Sequence, residues 1–216
     1  KKNEIFPVLE KDPRIIRPLN FPEEFVGHGF TVVESAGNTA GGAAGGAPGG
    51  GAGGGAGGHA GGHAVGDAGG VPVAVISLLG RIFLPPIDCP FVAVEKLLPR
   101  LKEKAKIVIV EIHAEATSEK KAMGWFLDGQ VTALVGTHTH VPTADAVILP
   151  RGTGYITDIG MTGPVHSILG RRVDRVLTKF RTGMPSKFDV ADGACRMGTV
   201  LLEIVQGKTV GIKQEE

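Results

Sequence analysis

Three nearly unbroken apolar runs constrain this chain more than anything else in it: Val73-Ala74-Val75-Ile76-Ser77-Leu78-Leu79, Ile107-Val108-Ile109-Val110-Glu111-Ile112 and Val131-Thr132-Ala133-Leu134-Val135. A strand that is apolar at almost every position, not at alternate ones, is expected to be covered on both faces. Between the runs lie two segments that suit helices. Residues 91–106 carry one blemish, Pro99, which either kinks a helix or marks its first turn. Residues 117–127 have Thr117 or Ser118 as N-cap, with Glu119 and Lys120 in the first turn. Shorter strands are expected at 30–34, 146–149, 155–157, 187–190, 199–205 and 209–213. The last two are joined at Gln206-Gly207-Lys208, and a helix at 173–181 is closed by Gly183. Strand, helix, strand in the middle with strands at the end predicts an α/β domain of layered sheet and helix.

One segment cannot share that core. Positions 37–70 hold 18 of the chain's 34 glycines and nine alanines, no lysine or arginine, and a single carboxylate, Asp67. Such a stretch cannot offset its own ordering entropy, and a flexible excursion is expected. A strand enters it and another leaves it, so the simplest arrangement is a β-hairpin with an expanded turn. Closure entropy grows slowly with loop length, and a surface turn tolerates this. The rest of the chain has ordinary composition, and a single domain over 1–216, interrupted at 37–70, is expected.

Lysine plus arginine against aspartate plus glutamate is 23 against 22, a net charge of +1, which argues against a polyanion binder that relies on bulk charge; no binding to a nucleic-acid duplex is expected. Two cysteines, Cys89 and Cys195, exclude a disulfide framework and a cysteine zinc finger, and suit a reducing, cytoplasmic compartment. No apolar run approaches the ~20 residues needed to span a bilayer, and no signal peptide is legible. The chain opens on Lys1-Lys2-Asn3-Glu4, which reads as the middle of a helix and predicts an incomplete N-terminus.

Of seven histidines, three sit where ligands gather in open α/β sheets, at the carboxyl ends of strands. His113 follows the second apolar run. His138 and His140 follow the third, in Gly136-Thr137-His138-Thr139-His140. In an extended chain, alternation points His138 and His140 to one side. Two adjacent parallel strands would then bring three imidazoles to one rim, a neutral nitrogen set of the kind borderline divalent metals take, with Gly136 leaving room for close approach. His59 and His63 have helical spacing but lie in the Gly/Ala tract, where no helix should persist. His28 and His166 are isolated and read as packing or surface residues. Glu111, Glu115, Asp145 and Asp158 are the carboxylates near the rim; Glu115 and Asp158 are the candidates to orient a histidine, and Glu111 and Asp145 read as solvated or capping groups. Glycine-rich matches such as 53–58 lack the lysine and the strand–turn–helix frame of a phosphate loop, and neither Ser118 nor Ser167 lies in a nucleophile elbow.

Gly136-Thr137-His138-Thr139-His140 resembles the late segment of calcineurin-like metallophosphoesterases. More narrowly, Arg17-Pro18-Leu19-Asn20-Phe21-Pro22, Gly80-Arg81-Ile82-Phe83-Leu84-Pro85-Pro86, Glu111-Ile112-His113-Ala114-Glu115-Ala116-Thr117-Ser118-Glu119-Lys120 and Tyr155-Ile156-Thr157-Asp158-Ile159-Gly160-Met161-Thr162-Gly163-Pro164 are similar to the bacterial YmdB-like branch. The resemblance implies a β-sandwich flanked by helices, a dinuclear divalent-metal site (iron, manganese or zinc) at the strand ends, and phosphodiesterase activity on small phosphodiesters or nucleotides, including 2′,3′-cyclic ones. It assigns His113 and His138 to one metal and His140 to the other. The family's catalytic histidine and oxygen ligands would lie before Lys1, so no catalytic residue is assigned in this chain. The resulting expectation is a polypeptide that binds at most one divalent metal, with little esterase activity and with an exposed apolar sheet edge that favours self-association. A single-zinc enzyme using the three histidines alone, and a non-catalytic family member, are the alternatives.

Overall fold

A computed structural model describes residues 4–35 and 70–215. The expected Gly/Ala excursion, with His59 and His63, falls almost wholly outside them. Its two flanks are described, and they pair. Strand β1 (Phe30–Glu34) runs antiparallel to β2 (Pro72–Leu79), from Phe30 opposite Ile76 to Glu34 opposite Pro72. The pairing continues one step further, because Ser35 N–H donates to the Val71 carbonyl and Val71 N–H donates to Ser35 Oγ. The hairpin is therefore formed up to the edge of the tract.

From β2 the chain follows two crossover units. Helix α2 (Pro90–Lys102) leads to β3 (Ile107–His113), and α3 (Thr117–Leu127) leads to β4 (Ala133–Thr137). Next come β5 (Val147–Ile148) and β6 (Gly154–Ile156). The six strands form one sheet in the order β1-β2-β3-β4-β6-β5, with β2, β3, β4 and β6 parallel and the two edges antiparallel. Short α1 (Phe6–Lys11) precedes the sheet. After it come β7 (Thr162–Pro164), α4 (Val173–Thr182), β8 (Cys195–Met197), β9 (Thr199–Val205) and β10 (Lys208–Glu215). β7 pairs with β8, and β9 with β10. The β9–β10 turn docks on the main sheet: Thr132 Oγ1 donates to the Gly207 carbonyl, and Thr209 Oγ1 donates to the Thr132 carbonyl. The architecture is the layered α/β arrangement of sheets and helices that the sequence predicted.

The core lies on one side of the main sheet. Ala74, Ile76 and Leu78 of β2 and Val108, Val110 and Ile112 of β3 are buried against Val94, Leu98 and Leu101 of α2 and Met123 and Leu127 of α3. The spacing i, i+4, i+7 along α2 puts its three apolar residues on one stripe. Pro90 starts that helix at a position where its missing N–H costs nothing. Pro99 is tolerated because it lies on the solvent side of the helix.

Four expectations need correction. The apolar runs are not equally covered on both faces, since the alternate residues Val73, Val75, Ile107 and Ile109 are half-buried. The first long helix ends at Lys102, not at 106. Helix α3 is capped by Ala116 without a side-chain bond, not by Thr117 or Ser118. Residues 187–190 form no strand and contribute a single bridge, Arg171 to Val190.

A candidate metal centre at the strand ends

Strands β2, β3 and β4 end level with one another: Leu79 lies opposite His113, and His113 opposite Thr137. Alternation places Ser77, Glu111, His113 and Thr137 on the half-buried face of the sheet, away from α2 and α3. They are joined in one chain. The Glu111 carboxylate accepts from Ser77 Oγ at 2.7 Å on one oxygen and from Thr137 Oγ1 at 2.5 Å on the other. Thr137 Oγ1 lies 2.9 Å from His113 Nδ1. His113 Nε2 lies 2.9 Å from His138 Nδ1, with the two rings edge to face and 4.6 Å between centroids. His138 Nε2 lies 2.8 Å from Glu115 Oε2.

Burial holds the His113 pKa below the ordinary imidazole value, and the neighbouring His138 and Lys120 charges act in the same direction. The ring is thus neutral at neutral pH, the form that binds metals. Burial raises the Glu111 pKa against the bonds from Thr137 and Ser77, which lower it.

The loop after β4 is held in a costly conformation. His138 has φ 106° and His140 has φ 64°, a region that residues with side chains seldom occupy. Asp158 is what holds it. Its Oδ2 accepts from Thr139 N–H at 3.0 Å and from Lys120 Nζ at 2.8 Å, and its Oδ1 accepts from Gly160 N–H at 2.9 Å. The Lys120 and Asp158 side chains are both 0% exposed. Burial alone would raise the Asp158 pKa; the bonds from Lys120, Gly160 and Thr139 outweigh it and the pKa falls.

This conformation changes where His140 goes. The chain leaves the extended region after Thr137, so alternation no longer relates His138 to His140. His140 is exposed, and its Nδ1 lies 3.4 Å from the Leu169 carbonyl. The structure brings His113 and His138 together and turns the third ring outward. Among the described residues, no group of three or more His, Cys, Asp or Glu is gathered closely enough to hold a metal. What the centre supplies is two facing imidazole nitrogens, one of them on a neutral ring.

The segments that carry the family resemblance brace this rim. Asn20, 1% exposed, donates to the Leu79 and Asp88 carbonyls and accepts from Leu79 N–H, tying down the end of β2. Gly80 N–H donates to the His113 carbonyl, and a side chain at Gly80 would collide with Glu119 and Ala114. Glu119 accepts from the N–H groups of Arg81 and Ile82. Glu119 and Lys120, in the first turn of α3 as expected, are both buried. Asp145 accepts from Thr143 Oγ1, Thr157 Oγ1 and Thr157 N–H and pairs with Lys121. His28 contributes its backbone, accepting from Arg17 N–H, and His166 is exposed. Both cysteines are free.

Burial would raise the Asp145 pKa, but the hydrogen bonds from Thr157, Thr143 and Lys121 override it and set the value at about 2. A depressed folded-state pKa gives stability that is complete above the unfolded value and is lost as pH falls toward the folded one. Urea titrations should therefore show stability falling between pH about 4 and 2. Asp145→Asn should flatten the slope in that window; an unchanged slope assigns the acid transition elsewhere.

With the geometry established, the known relatives decide the family. The sequence signature of the YmdB-like protein family matches residues 55–214. The chain belongs to the YmdB-like family. It is 39% identical, over 99% of its own length and 69% of the relative's, to the 2′,3′-cyclic-nucleotide 2′-phosphodiesterase of Bacillus subtilis (strain 168). Among solved structures, a hypothetical protein from Thermus thermophilus superposes with a TM-score of 0.78 at 39% identity, covering 99% of this chain and 70% of that one. A novel phosphatase from Mycoplasma pneumoniae superposes with a TM-score of 0.75 at 28% identity, covering 99% and 67%. No described helix is long and apolar enough to cross a membrane.

Proposed function

We propose that this YmdB-like hydrolase cleaves small phosphodiesters, 2′,3′-cyclic nucleotides being the substrate class, at a divalent-metal centre to which the chain contributes His113, His138 and His140. The observation that carries this reading is the pair of imidazole nitrogens 2.9 Å apart at the level ends of β3 and β4, in a chain 39% identical to a cyclic-nucleotide phosphodiesterase. Two nitrogens at that separation share one proton, and imidazole nitrogens brought together in this way are the donor type that a borderline divalent cation would take. His113 and His138 are the ligands of one metal. His140 would be the ligand of the second.

Divalent cations held by these histidines would supply Lewis-acid polarisation of a phosphoryl group and an activated water near neutral pH. The chain's own residues do the positioning. Lys120 and Asp158 hold the loop that presents His138. Glu115 holds the far nitrogen of His138. Asn20 and Gly80 keep the ends of β2 and β3 together.

The outward ring of His140 favours a second reading for this polypeptide by itself: one weakly held cation on His113 and His138, with little turnover. Elemental analysis of the purified chain, with His113→Ala and His138→Ala beside it, tests the centre. Metal that falls about tenfold or more in both variants is expected. Hydrolysis of 2′,3′-cyclic AMP should be lost with chelator and restored by manganese or zinc. Equal metal content in all three proteins, or turnover indifferent to chelator, overturns the assignment. A ratio near two cations per chain favours the dinuclear reading, and near one the second.

A further inference from the structure

Glu111 reads as a solvated or capping carboxylate in the sequence, and nothing about Thr137 marks it out. We infer that these two are positioning residues that fix the tautomer of His113 and aim its Nε2 at the metal centre; this rests on the reading of His113 as a ligand. Counting hydrogens decides the direction of each bond. Ser77 Oγ and Thr137 Oγ1 each carry one hydrogen, and both point at Glu111, at Oε2 and Oε1. With its hydrogen committed, Thr137 Oγ1 has only lone pairs left for the His113 Nδ1 that lies 2.9 Å away. His113 Nδ1 must therefore donate. A neutral imidazole has a single N–H, so Nε2 carries the lone pair. That nitrogen is the one that faces His138 Nδ1, which donates to it; the relay runs in this direction with a hydrogen on both His138 nitrogens, the second donated to Glu115 Oε2 2.8 Å away.

The arrangement is a relay from carboxylate through hydroxyl to imidazole. It sets the ring's orientation and tautomer before any cation arrives, as carboxylates bonded to ligating histidines do elsewhere. The register makes it possible. Glu111 is two residues before His113 on the same face of β3, and Thr137 is directly opposite His113 on β4, so the three side chains meet without any loop. Ser77, opposite Glu111 on β2, takes up the second carboxylate oxygen. The influence of Glu111 and Thr137 reaches the centre through the His113 ring.

The test uses the metal-free chain labelled with ¹⁵N, so that the tautomer is read without activity. Long-range ¹H–¹⁵N correlations should show His113 in the Nδ1–H form. Thr137→Val, which fits a strand, should shift His113 to the Nε2–H form or a mixture and weaken zinc binding about 10- to 100-fold. Thr137→Ser keeps the hydroxyl and should restore both. Glu111→Gln should disturb the tautomer in the same direction as Thr137→Val. An Nε2–H tautomer in the parent chain reverses the relay and overturns the inference, as does a tautomer that Thr137→Val leaves unchanged. A tautomer that moves while zinc affinity stays constant upholds the positioning and overturns instead the assignment of His113 as a ligand.

Discussion

Lys120→Ala should destabilise the protein by about 3–5 kcal/mol, the cost of leaving one member of a buried ion pair without the other. Both side chains are fully excluded from solvent, and Lys120 Nζ is 2.8 Å from Asp158 Oδ2. Without the ammonium, the Asp158 carboxylate keeps the bonds from Thr139 and from Gly160 N–H. It must then remain charged in a cavity or take up a proton, and either change loosens its hold on Thr139. The consequence should extend beyond stability. Thr139 sits between two histidines whose φ angles of 106° and 64° persist only while the surroundings enforce them. Metal content should fall with the melting temperature even though Lys120 is no ligand. The double variant Lys120→Met with Asp158→Asn should cost far less than the sum of the single changes, because it leaves no orphaned charge. Denaturant melts of the four proteins close the cycle. Additive costs would mean that the pair is not coupled.

The sequence made this pair hard to see. Lys120 stands in the first turn of α3, where a lysine is ordinarily solvated, and Asp158 lies 38 positions later in a loop. Only the placement of β6 beside β4 brings them together. What the sequence carried well was everything decided locally. The buried runs gave β2, β3 and β4; the bounds of α3 came from its helical pattern, though not its cap; Gly183, with φ 69°, closes α4 as a left-handed cap. The hairpin around the Gly/Ala tract was legible from its flanks alone. Strands β7 and β8 were not. Each has three residues, and β8 is exposed throughout, so neither carries an apolar pattern.

The site divides along the same line. That His113 and His138 would meet followed from two adjacent parallel strands. That His140 would turn aside did not, because alternation holds only while the chain stays extended, and the chain leaves β4 at Thr137. Glu111 carried a signal that went unread. A carboxylate inside an otherwise apolar strand must find donors, and Ser77 and Thr137 are the donors on the two flanking strands.

Gly136→Ala should be the most damaging single-methyl change near the centre. A Cβ there would overlap the Thr157 carbonyl oxygen and come within 3.0 Å of Lys120 Cδ. The first clash is with backbone, which no rotamer change relieves. β4 and the chain leaving β6 would have to separate, and Ile159 N–H would lose the Gly136 carbonyl it donates to at 3.0 Å. Overpacking costs about 1–3 kcal/mol and occasionally more, and a clash with backbone belongs at the upper end. The contrast with Gly183→Ala isolates the cause. Gly183 has φ 69° but open space around its Cβ position, so that variant meets only the conformational penalty, about 1–2 kcal/mol. The strain at 136 also has an address: the next residue is Thr137, and the one after it is His138. Gly136→Ala should therefore disturb the His113 and His138 ring resonances in whatever fraction stays folded, and Gly183→Ala should leave them in place. Equal losses of stability in the two variants would mean that β4 yields at Gly136 more readily than the packing against Thr157 implies.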